Sequence, residues 1–213
     1  MVLTKGTNCG FVTSSPSADP TDTASIIDTK SYGIKDSPSS SGNVTEIGWY
    51  CDNATQAADF QVGIYEHDAG SDVPGAAISI DTSGAKGTTA GWKKVTGLSI
   101  AVTSGTTYWI CVQVDNTVTQ TNMNLNLTSS GNRYSWMNSQ TELADPWSSD
   151  GAQDNRIIGI YAKVEAAGGG TNMQTNIGDD WKSIAAMQIN IGDAWKSVAG
   201  AQINIGDNWK TIF

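Results

Sequence analysis

The sequence predicts an all-β fold: a two-sheet, jelly-roll-like sandwich followed by three short β-hairpin repeats. Three observations carry that expectation. Gly, Ser, Thr and Asn are abundant while Val, Ile and aromatic residues recur in short bursts, the composition of many short strands joined by turns. From Lys30 to Glu165 apolar residues alternate with period two, the period of a strand with one buried face. After that, one phrase of fourteen residues is spoken three times.

Taken in order, the first 29 residues are rich in Ser, Thr, Asp and Pro and read as an arm, or as a strand that pairs at an edge. Ile47, Trp49 and Cys51 would then face one way, as would Phe60, Val62 and Ile64. Leu98, Ile100 and Val102 follow, then Tyr108, Ile110, Val112 and Val114, then the strict alternation of "MNLNLT" at Met123–Thr128. Ile158, Ile160, Ala162 and Val164 close the series. Between these runs stand the turn signals "GSDVPG", "TSGAKG", "TSGT" and "SSGN". No stretch has a helical period of useful length. The boundaries follow: a sandwich over residues 1–165 with its N-terminal arm at 1–29, a Gly-rich linker at 166–172, and repeats over 173–213.

Each repeat has the form Met/Ala-Gln-Ile/Thr-Asn-Ile-Gly-Asp-x-Trp-Lys-Ser/Thr-Ile/Val. "QINI" and "WKSV" suit strands and Gly-Asp-x suits the turn between them, so each unit reads as one hairpin. A single hairpin is marginal in water. Ile177, Trp181, Ile191, Trp195, Ile205 and Trp209 therefore need partners, and they are the expected assembly residues, with a homo-oligomer, a trimer by preference, as the means of covering them. The rival reading makes each Trp–Lys pair a sugar site; a core role for Trp is favoured, because so short a unit has few other residues to fill an apolar face.

Charge narrows the partners. The net charge is −9. With 17 acids and 9 bases the region before Met173 carries −8, while four Asp and three Lys leave the repeats at −1. Such a surface repels phosphate backbones and anionic lipid, so neither nucleic acid nor membrane is an expected partner. The N-terminus lacks the apolar run of about 7–15 residues that marks a signal peptide, so synthesis in a cytoplasm is expected. Cys51 and Cys111 read as small buried residues of strands; they would pair only if those strands are neighbours, and the odd count of three cysteines favours thiols.

Chemistry is sparse. The one histidine, His67, lies beside Glu66 and Asp68 where a strand meets a turn, and nothing in the spacing of Ser, Cys or His builds a nucleophile. No zinc spacing or phosphate loop is present. The expectation is a non-enzyme without cofactor. Asp68 and Asp72, two residues either side of Gly70, have the oxygen spacing of a structural calcium loop, although an acidic hairpin turn explains them as well. The strongest candidate surface is Asn132–Arg156, which sets Tyr134, Trp136 and Trp147 among Asn, Gln, Asp and Arg. Aromatic faces beside amides and carboxylates suit sugars; alternatively Trp136 plugs one end of the sandwich and Trp147, after Pro146, pins a long loop.

The stretch "GNVTEIGWYCDNATQAADFQVGIYEHDAGSDVPGAAI", with "GWKKVTGLSIAVTSGTTYWICVQV" after it, resembles jelly-roll modules in which a "GIY" strand precedes a Pro-Gly turn and a Gly-Thr-x-Tyr-Trp strand comes later. Such modules occur in microbial surface proteins and phage virion proteins. The "QINIGDxWK" repeats resemble the C-terminal tails of tailed-phage structural proteins. The resemblance implies a virion protein, made in the host cytoplasm, that works in capsid decoration, a head fibre or a tail fibre. Its implied partners are other virion proteins and cell-surface glycans. Two alternatives stand beside it: a secreted, extracellular carbohydrate-binding module, and a filament subunit whose N-terminal arm donates a strand to a neighbour.

Overall fold

The computed structural model describes residues 2–20, 23–26, 29–54, 59–85, 87–114, 121–127 and 132–166, and in the C-terminal region the strand backbones at 173–177, 180–184, 188–191, 194–197, 202–205 and 208–211. Among these residues every regular element is a β-strand. The chain divides into two units, Met1–Ala166 and Ala167–Phe213.

The first unit is a β-sandwich of two sheets. Its strands are β1 (Gly10–Val12), β2 (Thr23–Ile26), β3 (Ser31–Asp36), β4 (Gly42–Ala54), β5 (Asp59–Asp68), β6 (Val73–Ala85), β7 (Gly91–Val102), β8 (Tyr108–Val114), β9 (Thr121–Leu127), β10 (Arg133–Met137), β11 (Gly151–Asp154), β12 (Arg156–Ile158) and β13 (Ile160–Ala166). One sheet has seven strands, in the order β1-β13-β4-β9-β12 with β2 on β9 and β7 on β4. The other has six, in the order β11-β10-β3-β8-β5-β6.

The inner faces meet in one core. The seven-stranded sheet contributes Val44, Ile47, Trp49, Cys51, Ile100, Val102, Ile160 and Ala162. Ile34, Phe60, Val62, Ile64, Ile110, Val112 and Val114 come from the other sheet. Trp49 meets Phe60 edge to face across the interior, with ring centroids 5.7 Å apart. Val44 and Ile47 share this face despite their odd separation, because β4 bulges between Val44 and Glu46 where it pairs with β7; one extra residue reverses the alternation.

The N-terminal segment belongs to this unit. β1 pairs in parallel with β13, Phe11 opposite Ala162, and Leu3, Cys9, Phe11 and Val12 are buried. Residues after β1 run over the outer face of the seven-stranded sheet. There the Trp92 indole donates to the Ala18 carbonyl at 3.0 Å. Trp92 meets Tyr50 and Tyr161 edge to face, each at 5.2 Å. A Cβ on Gly48 would lie 2.6 Å from the Tyr161 ring and 2.8 Å from the Lys93 carbonyl, so a glycine is what lets that ring lie flat on the sheet.

Beneath these rings Glu46 is 6% exposed. The Tyr161 hydroxyl donates to its Oε1 at 2.5 Å, and Lys94 lies 3.1 Å from Oε2. Burial pushes the Glu46 carboxyl up, but hydrogen bonds from Ser15, Tyr161 and Lys94 together outweigh it and hold the carboxyl below its ordinary range. A carboxyl depressed in the folded chain contributes stability that is complete above the unfolded value, about 4.3, and is lost as pH falls through the folded value. Glu46→Gln is therefore expected to cost about 2 kcal/mol at pH 7, the scale of a hydrogen bond to a charged group. The two chains should converge as pH falls below 4. Urea unfolding at pH 7 and pH 3 measures both arms, and an equal gap at the two pH values would contradict the assignment.

The outer face of the six-stranded sheet carries a second apolar cluster, Tyr65, Trp109, Cys111, Met137, Leu143 and Trp147. Residues 138–150 cover it. Leu143 N donates to Gln61 Oε1 at 2.6 Å, the Tyr65 hydroxyl donates to the Ala144 carbonyl at 2.8 Å, and Ala77 N donates to Asp145 Oδ1 at 3.0 Å. Every residue of β8 is consequently buried. Cys51 lies in the inner core and Cys111 in this outer cluster, so the sheet itself stands between the two sulfurs and no disulfide joins them. Burial pushes the Cys111 thiol far up, which leaves it unreactive.

In the second unit the strands β14 (Met173–Ile177), β15 (Asp180–Ile184), β16 (Gln188–Ile191), β17 (Ala194–Ser197), β18 (Gln202–Ile205) and β19 (Asn208–Thr211) pair as three antiparallel hairpins. The register repeats, with Asn176 opposite Trp181, Asn190 opposite Trp195 and Asn204 opposite Trp209. The side chains of Ile177, Trp181, Ile191, Trp195, Ile205 and Trp209 lie outside the described residues, as do residues 167–172 of the linker and the first three residues of the "SSGN" turn.

Candidate functional site

β5 and β6 are joined by a tight turn, since Asp68 pairs with Val73. Asp72 closes it with φ of 54°, a left-handed conformation that Asp tolerates. Its amide donates to the Asp68 carbonyl at 2.8 Å, and Asp68 Oδ1 accepts from Gly70 N at 2.9 Å. Hydrogen bonds from Ser71 and from the Gly70 amide hold the Asp68 carboxyl below its ordinary range.

Three basic side chains from three strands converge on the Asp72 carboxylate. Lys35 Nζ lies 2.8 Å from Oδ1, Arg133 Nε 2.8 Å from Oδ2, and His67 Nε2 3.7 Å from Oδ1. Arg133 Nε also donates to the Asp72 carbonyl at 2.7 Å, and its Nη1 to Asp154 Oδ1 at 3.0 Å. A carboxylate already surrounded by cations is a poor ligand for another one, so Asp72 does not suit the calcium loop that its spacing from Asp68 suggested. Among the described residues no three or more His, Cys, Asp or Glu side chains gather as metal ligands.

His67 is tied to structure as well. The Trp109 indole N–H donates to His67 Nδ1 at 3.2 Å, which fixes Nδ1 as an acceptor and directs Nε2 toward Asp72. No nucleophile is placed against either nitrogen among the described contacts.

Of the three aromatic residues expected to form a sugar platform, Tyr134 and Trp136 stack on each other, while Trp147 lies apart from them. Tyr134 is buried in the inner core, stacked on Tyr32 at 6.2 Å and on Trp136 at 5.1 Å. Trp136 is half-buried, and its indole lies across the edge strand, where a Cβ on Gly151 would come within 2.2 Å of the ring. Trp147 belongs to the outer cluster on the opposite face. Its indole donates to Ser135 Oγ at 3.2 Å, its ring meets Tyr65 edge to face at 5.6 Å, and its amide donates to the Gly75 carbonyl at 3.2 Å. Trp136 packs against Tyr134 and Gly151, and Trp147 is 7% exposed, so the two rings do not form one open platform.

What the fold builds instead is an open cleft of about 600 Å³. One wall is the β5–β6 turn with the start of β6; the others are the Pro146–Ser149 segment and the β10–β11 edge. Asp68, Arg133 and Ser149 supply polar groups to it, and Pro74, Pro146 and Trp147 supply apolar ones. Arg133 and Asp68 were in view in the sequence, but as a loop neighbour and a metal ligand. Their joint position depends on β10 and the β5–β6 turn meeting at one end of the sheet, which no local pattern encodes.

Comparison of the chain with protein-family models, with curated proteins and with solved structures gave no match.

Proposed function

We propose that the chain is a non-enzymatic structural and attachment protein of a bacteriophage particle, in which a jelly-roll sandwich is displayed and the C-terminal hairpins join copies of the chain. The observation that carries this reading is the threefold hairpin of constant register at Asn176–Trp181, Asn190–Trp195 and Asn204–Trp209. Each is a two-stranded sheet, too small to be stable alone, beside a sandwich that already has its own core. Repeats of that kind gain a core by association, and a trimer is the favoured form. The likeness of the repeat wording to phage structural tails and the acidic charge of the sandwich support the same role, in capsid decoration, a head fibre or a tail fibre.

A chain ending at Gly168 tests it. Light scattering after size exclusion should give an oligomer for the full chain and a monomer for the shortened one, with the far-ultraviolet spectrum of the sandwich retained. An oligomer unchanged by the truncation overturns the assembly role. A second reading, a secreted carbohydrate-binding module, is favoured by the mixed polar and apolar cleft beside Trp147.

A further inference from the structure

We infer that the cleft between the β5–β6 turn and the Pro146–Ser149 segment is a binding site for a neutral glycan terminus, with Asp68 and Arg133 as the pair that grips adjacent hydroxyls. This names the ligand class for the attachment role and rests on that reading.

The chemistry of the walls selects the class. Arg133 is rigid, since Nε is held by Asp72 and Nη1 by Asp154. Arg133 also lines the cleft, and a guanidinium carries five N–H donors, more than these contacts use. Its charge and that of Lys35 are already matched by Asp72 and Asp154, which makes it a hydrogen-bond donor rather than an anion trap. Asp68 is its complement. The carboxylate takes hydrogen bonds from Gly70 and Ser71, and with about four acceptor positions on a carboxylate it keeps room for incoming hydroxyls. A sugar diol is both donor and acceptor at neighbouring carbons, so one hydroxyl donates to Asp68 while the next accepts from Arg133. Pro146 is exposed and, with the buried Pro74 and Trp147 behind it, gives the cleft an apolar side for a sugar's C–H face.

Charge decides between sugars. Asp68 lines the cleft, and Lys35 and Arg133 are already matched by Asp72 and Asp154, so the surroundings of the cleft stay acidic in a chain of net charge −9. Sialylated, sulfated and phosphorylated glycans would approach against that field. The volume, about 600 Å³, accommodates a short oligosaccharide end.

The test uses two variants that leave the core alone. Ala76 is exposed at the cleft wall, so Ala76→Trp fills the space. Asp68→Asn keeps an oxygen for Gly70 N and removes the charge. The full chain is screened on an array of neutral and acidic glycans, and the best neutral glycan is titrated calorimetrically into residues 1–168. Binding of neutral glycans is expected, with about a tenfold loss in Asp68→Asn, the equivalent of 1.4 kcal/mol, and complete loss in Ala76→Trp at an unchanged melting temperature. Preference for acidic glycans, no glycan binding, or full binding by Ala76→Trp overturns the inference. Because the titration uses a single sandwich, an oligomer that binds no glycan refutes the cleft alone, and a monomer that binds one refutes the assembly role alone.

Discussion

A chain that starts at Thr13 is expected to melt about 10–20 °C below the full chain, on the scale of about 2–4 °C per kcal/mol for a unit of this size. Leu3, Cys9, Phe11 and Val12 leave the core with the deleted segment. Phe11 alone fills the space against Tyr108, edge to face at 6.0 Å, and large apolar side chains cost about 2–5 kcal/mol each when their space is left empty. The edge of β13 loses its parallel partner. Asp36 loses the Phe11 amide at 2.8 Å and the Lys5 ammonium at 3.4 Å. Against this, the shortened chain no longer orders twelve residues, which returns part of the loss; a net deficit of about 5 kcal/mol is a large share of the 5–15 kcal/mol that stabilises a typical domain. Calorimetry checks it. An unchanged midpoint would mean that β1 is dispensable to its own sandwich, and would revive strand donation to a neighbour as the role of this segment.

Trp109→Ala should cost about 3–5 kcal/mol and release the 138–150 segment from the sheet. Trp109 is fully buried at the centre of the outer cluster, and its indole N–H has a partner in His67 Nδ1. Removal leaves a cavity beneath Leu143 and Trp147 and takes away the large apolar side chain that β8 presents on that face, so both the transfer and the cavity contributions apply. The readouts are a lower unfolding midpoint and faster proteolysis within 138–150. Trp49 supplies the internal control. It is equally buried, but its Nε1 has no hydrogen-bond partner among the described residues. Trp49→Phe removes an unsatisfied donor along with some volume, whereas Trp109→Phe breaks a made hydrogen bond, so the first should cost less than the second. Equal costs would contradict the role given to the His67 contact.

Much of the candidate site was legible as composition and little of it as geometry. "NRYSW" and "ADPWSSD" announce a binding-like mixture of residues, but Trp136 and Trp147 lie on opposite sides of one sheet. The segment between them crosses from a strand to the outer face, and the length of an irregular segment does not say which face it ends on. Asp72 reads locally as a calcium ligand. Lys35 and Arg133, from β3 and β10, are what make it an anion already paired.

The sequence by itself determined the strands that alternate with period two and the pairing of each repeat as a hairpin, because alternation is a local property of the chain, whereas β6 runs through the "VPG" and "TSGA" that read as turns. It also determined which residues seek burial. Only the tertiary structure decided what buries them. The alternation in "YWICVQV" marks one inner face correctly, yet the other face is buried too, since residues 138–150 return to cover it. The N-terminal segment reads as an arm or as a strand that pairs at an edge, and the structure chooses the second, with Phe11 opposite Ala162 across β1 and β13, a pairing between the two ends of the unit. Such contacts depend on how sheets close rather than on any neighbour in sequence, and the cleft with Asp68 and Arg133 in its walls is set by the same closure.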